Sequence, residues 1–216
     1  MQFMIDHYQT RFSSCRIVLY DNMSTDDTVK IALANGCEVI SFDTGGKFSD
    51  RQHMEIKNNC WKNSETDWVL MSDFDELLDI NEEQLKKEEG AGTTMIRTEG
   101  YDMVNAEDNL DIAGIKYGSR SEGYDKFCLF NKKFIEEINY EIGCHECNPQ
   151  GTAIYSKNLY KLYHYSYINY KVTVEKLKIY AKRLSQENIE QGWSLYVFST
   201  PEEIRKMYDD AWKNAK

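Results

Sequence analysis

The segment 68-WVLMSDFDELLD-79 holds the residues with the clearest capacity for chemistry. An apolar run, Trp68 to Met71, ends abruptly in Asp73, Asp75, Glu76 and Asp79. Two carboxylates at i and i+2 can point together once a chain leaves a sheet. Hard divalent cations such as Mg²⁺ and Mn²⁺ take oxygen ligands and keep positions open for phosphate oxygens. Asp73 and Asp75 are therefore candidate metal ligands. The plainer account is a polar strand end, with Asp79 capping a following helix. An EF-hand loop is excluded, because Leu77, Leu78 and Gln84 stand where its third ligand, its glycine and its closing glutamate belong.

A second group is 20-YDNMSTDDT-28, an Asp at the end of an apolar run followed by a Ser/Thr/Asp cluster. Helix capping accounts for part of the cluster. It does not account for Asp21, which precedes the turn. His145, in the short loop 143-GCHECNPQG-151, and His164 are candidates for completing a metal shell or for binding phosphate. Both can equally be hydrogen-bonded structural histidines, and His145 is the better placed for a site. Cys144-x-x-Cys147 has the spacing of a zinc or redox pair. There is no second such pair, and the other four cysteines fall in expected strands or helices, so no cysteine centre is expected. Nor is 145-HECNP-149 a metalloprotease helix, since a second His is missing and Pro149 breaks the helix.

The elements that must position these groups alternate in the first half. Residues 3–12 read as a helix, 16–21 as a strand, and 25–35 as a helix opened by Ser24 or Thr25 and closed by Asn35-Gly36. A strand over 37–42, a loop with Gly45-Gly46, a helix from about 49 to 63 and a strand over 67–72 follow. This order implies parallel strands joined by right-handed crossovers. Ligands of such sheets sit at the carboxyl ends of the strands, here 20-YDN-22, 42-FDTGG-46 and 72-SDFDE-76. The second half has β-like pieces at 93–98 and 127–131, an irregular stretch to 152, and the Tyr-rich segment 159–170. Helical patterns over about 172–189 and 201–214 end the chain, the last opening at Pro201 with acids in its first turn.

Together, the two acidic motifs resemble glycosyltransferase family two, nucleotide-diphospho-sugar transferases of the GT-A fold. That family carries D-N-x-S-x-D-x-T and D-x-D-E elements; here they read 21-DNMSTDDT-28 and 73-DFDE-76. Weaker pieces fit the same pattern: Lys126 before an apolar strand, the loop 143-GCH-145, and 164-HY-165 followed by Lys176. The resemblance spans roughly residues 5 to 185. It implies an α/β, Rossmann-like mixed sheet flanked by helices, with C-terminal helices, as a single catalytic domain over 1–216. Residues 1–90 would be the nucleotide-sugar half, 91–170 the acceptor side, and 171–216 the C-terminal helices. Family members begin with one further strand that holds the base, whereas this sequence starts at what reads as the helix after it.

The activity so implied is metal-dependent hexosyl transfer from a UDP- or GDP-sugar to a carbohydrate hydroxyl with inversion, as in polysaccharide biosynthesis. Asp21, Asn22, Asp73, Lys126 and Lys176 would bind the donor. Asp73, Asp75 and His145 would hold Mn²⁺ or Mg²⁺. An inverting transfer needs a carboxylate base, for which Asp125, Glu146 and Glu122 are candidates. Tyr101, Tyr117 and Tyr124 could stack on a sugar. Two alternatives stay open: a sugar-nucleotide-binding domain of a larger protein that does not turn over, and a nucleotidyltransferase, although no Gly-rich phosphate loop follows the first strand.

The whole chain sets bounds on these readings. At 216 residues it can bury one good core. Its net charge of −10 argues against nucleic-acid binding, which needs a basic surface. No apolar run is long enough to span a membrane. The polar start, MQFMIDHYQTRF, is unlike a signal peptide, so six reduced cysteines in a cytoplasmic protein are expected.

Overall fold

The computed structural model describes residues 1–105 and 111–215. In chain order the elements are α1 (Gln2–Arg11), β1 (Val18–Asp21), α2 (Thr28–Ala34), β2 (Glu38–Ser41), α3 (Asp50–Asn59), β3 (Trp68–Leu70), β4 (Glu76–Leu78) and α4 (Glu82–Gly90). Then come β5 (Met95–Val104), β6 (Tyr117–Arg120), β7 (Leu129–Asn131), β8 (Ile135–Glu137), β9 (Gln150–Gly151), β10 (Tyr155–Tyr167), α5 (Tyr170–Arg183), α6 (Gln186–Gln191) and α7 (Pro201–Asn214). Short 3₁₀ turns lie at Ile112–Gly114, Glu122–Tyr124 and Leu195–Phe198. The class is α/β, with a mixed sheet flanked by helices. No helix among the described residues is long and apolar enough to cross a membrane.

β1 and β2 pair in parallel, as a strand–helix–strand unit requires. β3 departs from the expected all-parallel order. It runs antiparallel to β7 and forms the edge of a six-stranded mixed sheet ordered β3–β7–β5–β10–β4, with β6 also on β5. Its register sets Val69 opposite Phe130, and both enter a core with Trp61, Met95 and Ile138. The long strand β10 runs parallel to β5 and antiparallel to β4. In these registers His164 lies beside Glu76 on one side and Asp102 on the other. Cross-strand neighbours share a face, so the three side chains form one row.

Four expectations are corrected. The stretch after the acidic motif is not the start of a helix. Leu77 and Leu78 are buried to 1% and 0% exposure, and 76–78 is strand β4, which completes the sheet against β10. Asp79 does not cap α4; it receives Arg11 at 3.2 Å and the Tyr163 hydroxyl at 3.2 Å, while Asn81 caps the helix in a capping box with Gln84. α2 opens later than Ser24 or Thr25, with Asp27 as its N-cap residue, because 21–27 forms a turn with Met23 at φ 54°. The helix over 172–189 is two helices. Leu184 leaves helical geometry to pair with Phe48 and bury itself, and Ser185 then caps α6.

Candidate functional site

The acidic motif is a four-residue turn between β3 and β4. The Glu76 amide donates to the Asp73 carbonyl at 3.0 Å, and the Ser72 hydroxyl donates to the Glu76 carbonyl at 2.6 Å. Asp73 and Asp75 therefore occupy the first and third turn positions. Rather than sharing one partner, they face different helices.

Asp73 is held by α3. His53 Nε2 and Lys57 Nζ each lie 2.9 Å from its Oδ1. Lys57 is buried, at 7% exposure. Burial disfavours both charges, but the pairing outweighs it. Asp73 is held well below the usual carboxylate range by Lys57 and His53, and Lys57 is raised above the usual lysine value by Asp73 and Glu76. Asp50, one turn before His53 on the same helix, is also buried and accepts from Asn188 Nδ2 at 2.9 Å and Ser194 Oγ at 2.7 Å. Residues 50, 53 and 57 share one helical face. That face ties the acidic turn to the C-terminal segment.

Asp75 turns the other way. Its carboxylate receives Lys176 Nζ of α5 at 2.8 Å, and its carbonyl accepts the Tyr165 amide at 2.8 Å. Lys176 also lies 5.7 Å from the Tyr180 ring centre, and Tyr180 stacks on Phe48 at 5.4 Å. Burial disfavours the Lys176 charge, yet Asp75 holds its pKa up. Asp75 and Lys176 line a cleft of about 680 Å³ between the start of α1, the Phe74–Asp75 turn and α5. Its other walls include Met1, Phe3, Phe74 and Ile179.

Glu76 and Lys126 form an ion pair beneath the turn, each side chain only 2% exposed. The Lys126 ammonium lies 4.9 Å from the Tyr124 ring centre. Tyr124 in turn stacks on His164 at 3.9 Å and meets the His145 ring edge-on at 4.9 Å. Asp102 Oδ1 lies 2.7 Å from His164 Nδ1. His145 Nδ1–H donates to the Gly123 carbonyl. Burial and the nearby Lys126 lower the His145 pKa, so it is neutral at pH 7, with Nε2 left as an acceptor.

The remaining candidates are spread out. Asp21 is buried and accepts the Ser24 amide at 3.1 Å, so it closes its own turn, while Asp26 lines the cleft. Asn22 ties β1 to the next loop through Thr44 and Lys47. Asp125 pairs with Arg120 at 2.5 Å and accepts the Gly100 amide at 2.9 Å. Glu122 and Glu146 are exposed. Tyr117 packs against Trp212, and the Tyr101 hydroxyl donates to Glu99. Burial pushes the thiols of Cys144 and Cys147 up to about 11, so both stay protonated at neutral pH.

His53, Lys57, Asp102 and Asp50 were not anticipated. The available signal was the spacing 50-D-x-x-H-x-x-x-K-57, three polar residues on one face of an expected helix. Among the described residues, no group of three or more His, Cys, Asp or Glu is arranged to hold a metal ion. The donor set is still suitable for Mg²⁺ or Mn²⁺. These ions need only one or two carboxylates when phosphate oxygens and water complete the shell, and Asp75 is 20% exposed on the cleft wall. No protein-family model matches the chain, and no curated protein matches it significantly.

Proposed function

We propose that the protein is a metal-dependent glycosyltransferase of GT-A type. It would move a hexose from a UDP- or GDP-sugar to a carbohydrate hydroxyl with inversion, as in polysaccharide biosynthesis. The observation that carries the reading is the turn at the end of β3. It sets Asp75 on the wall of a cleft large enough for a nucleotide, paired with Lys176 of α5, while the ionised Asp73 of the same turn faces α3. A divalent cation bound there would stabilise the charge that develops on the departing diphosphate.

The protein's own groups have separable tasks in this scheme. Lys57 and His53 hold Asp73 ionised and oriented through one oxygen. Asp73 then offers its other oxygen to a ribose hydroxyl or to the cation. Asp75 would be the principal ligand of a divalent cation, and Lys176, which pairs with Asp75 at 2.8 Å, would supply positive charge to the diphosphate oxygens. His145 offers Nε2 to phosphate or metal. Asp125, Glu122 and Glu146 remain the candidate bases, of which Asp125 is the most firmly positioned, by Arg120 and the Gly100 amide. Lys126 has a different task. It sustains the turn through Glu76 rather than meeting the donor. A cytoplasmic setting suits the six free thiols.

Thermal melting with UDP- and GDP-sugars, with and without Mn²⁺, tests the reading. The expected result is a Mn²⁺-dependent rise in melting temperature that Asp75→Ala abolishes. A rise that persists in Asp75→Ala would sink the metal-bridging assignment. Binding without sugar transfer or hydrolysis would favour a non-catalytic sugar-nucleotide-binding domain.

A further inference from the structure

Apolar side chains from four separate elements converge on the cleft beside Asp75. The start of α1 brings Met1 and Phe3, the acidic turn brings Phe74, the turn Ile112–Gly114 brings Ile112, and α5 brings Val172 and Ile179. Phe3 meets the Tyr165 ring edge-on at 5.4 Å, which joins the α1 wall to β10. Phe74 is 55% exposed and Ile179 is 53% exposed. Singly, an exposed apolar side chain needs no explanation. Here they line one concavity of about 680 Å³. The chemistry proposed above uses Asp75 and Lys176 in it and leaves these walls without a task.

The two faces of α5 separate this lining from the core. One face sets Leu177 against Val197 and Ile204, with Val174 and Ala181 packed beside them. Val172, Lys176 and Ile179 follow the i, i+4, i+7 spacing of a second face, and all three line the cleft. A helix face turned to water is ordinarily polar. This one places two β-branched apolar residues on either side of Lys176, whose ammonium is drawn to Asp75 at 2.8 Å. Phe74 stands between two carboxylates in a turn, where glycine and short polar residues prevail.

The size and charge of the cleft select a small amphiphile. Sites for small molecules have such volumes, and their walls are mainly apolar with a few polar groups. A protein partner would need a broad surface, roughly 800 Å² on each side. The chain's net charge of −10 opposes an anionic membrane surface. The charged residues of the lining are Lys171 and Lys176 against Asp26, Asp75 and Glu175, and Lys176 is already paired. The lining thus has no cationic surplus for a phosphate head. Ser166, Asp75 and Lys176 do offer donors and acceptors to hydroxyls. We propose that the cleft binds a neutral saccharide carrying an alkyl chain, with its hydroxyls at Asp75 and Lys176 and its chain along Phe74, Val172 and Ile179. Calling that molecule the acceptor rests on the transferase reading given above; its binding does not.

The test uses the full chain with Ile179→Gln, and with Ile189→Gln as a control at a half-exposed position of α6 outside the cleft. Both are exposed helix positions, so both variants should melt as the wild type does. The probes are glucose and hexyl, octyl and decyl β-glucoside, each below its micellar concentration. Calorimetric titration reads affinity, and sedimentation reads the oligomeric state. Affinity should rise about two- to fourfold per methylene, and glucose should bind about a hundredfold more weakly than octyl glucoside or less. Ile179→Gln should weaken octyl glucoside about tenfold, and Ile189→Gln should leave it unchanged. The proposal is overturned if affinity is independent of chain length, or if Ile179→Gln binds as the wild type does. It is overturned equally if Ile189→Gln weakens binding as much, or if the chain is a dimer that Ile179→Gln dissociates and no glucoside binds. Chain-length-dependent binding that needs Ile179, without Mn²⁺-dependent binding of UDP- or GDP-sugars, would uphold the amphiphile site and refute the transferase reading. Mn²⁺-dependent nucleotide-sugar binding without glucoside binding would do the reverse.

Discussion

Replacing Lys126 by Met separates a ligand-binding lysine from a buried structural one. The ammonium is paired with Glu76 at a site where both side chains are 2% exposed. Methionine keeps the length and volume of the stem but removes the charge. Glu76 would then be a buried carboxylate whose remaining hydrogen-bond partner is the Asp73 amide, at a long 3.5 Å. Breaking one side of a buried pair costs roughly 3–5 kcal/mol, a large share of the roughly 5–15 kcal/mol that stabilises a folded domain. With a urea slope of about 2 kcal/mol per molar, the midpoint should fall by about 1.5–2.5 M. The double variant Glu76→Leu/Lys126→Met removes both charges and should recover most of that loss. Urea titration of the three proteins by tryptophan fluorescence measures this directly. A Lys126→Met midpoint within about 0.5 M of wild type, coupled with loss of nucleotide-sugar binding, would refute the reasoning. It would mean that Lys126 serves the ligand instead of Glu76.

Two further outcomes follow from the same packing. His7 is buried, and its Nε2–H donates to the Leu78 carbonyl at 2.9 Å; burial pushes its pKa below 6.5. The unfolded chain therefore binds a proton first, so stability falls as pH drops from about 6.5 toward the folded value. His7→Gln keeps a donor and should reduce the drop in urea midpoint between pH 7.5 and pH 5, with His145 supplying a remaining slope; an equal drop would refute it. Gly100→Ala would put a methyl 2.6 Å from the Ser121 carbonyl oxygen and 2.7 Å from the Tyr124 carbonyl carbon. It should cost roughly 1–3 kcal/mol and shift Tyr124 off His164, read as a changed His164 ring resonance; an unchanged resonance and midpoint would count against that packing.

The elements legible in the sequence were those bounded by local signals. Asn35-Gly36 closes α2, and Gly36 adopts φ 74°; Ser49 caps α3; Pro201 opens α7 behind a Thr200 capping box. What local signals could not supply was pairing. β3 reads as a parallel strand because two strand–helix units precede it, yet its ladder is antiparallel to β7, 61 residues away in register at Val69 and Phe130. Strand β4 is three residues long and begins with a glutamate, so nothing in 76-ELL-78 announces a strand until β10 lies beside it. The break at Leu184 has no Pro or Gly to mark it; it exists because Phe48 offers a backbone partner.

The candidate site divides along the same line. Asp73 and Asp75 were found by their own spacing, because a turn places i and i+2 at a strand end whatever surrounds it. Asp50, His53 and Lys57 were not, because polar residues at i, i+3 and i+7 read as a solvated helix face. What reverses that reading is burial. Lys57 at 7% and Asp50 at 3% exposure need partners, and the partners come from residues 73, 188 and 194. A buried charge on a helix is thus a statement about another part of the chain. Here one face of α3 makes two such statements, one to the acidic turn and one to the segment carrying Asn188 and Ser194. Loosening Asp50 should therefore disturb the site from the start of the same helical face that carries Lys57, without touching either carboxylate of the motif.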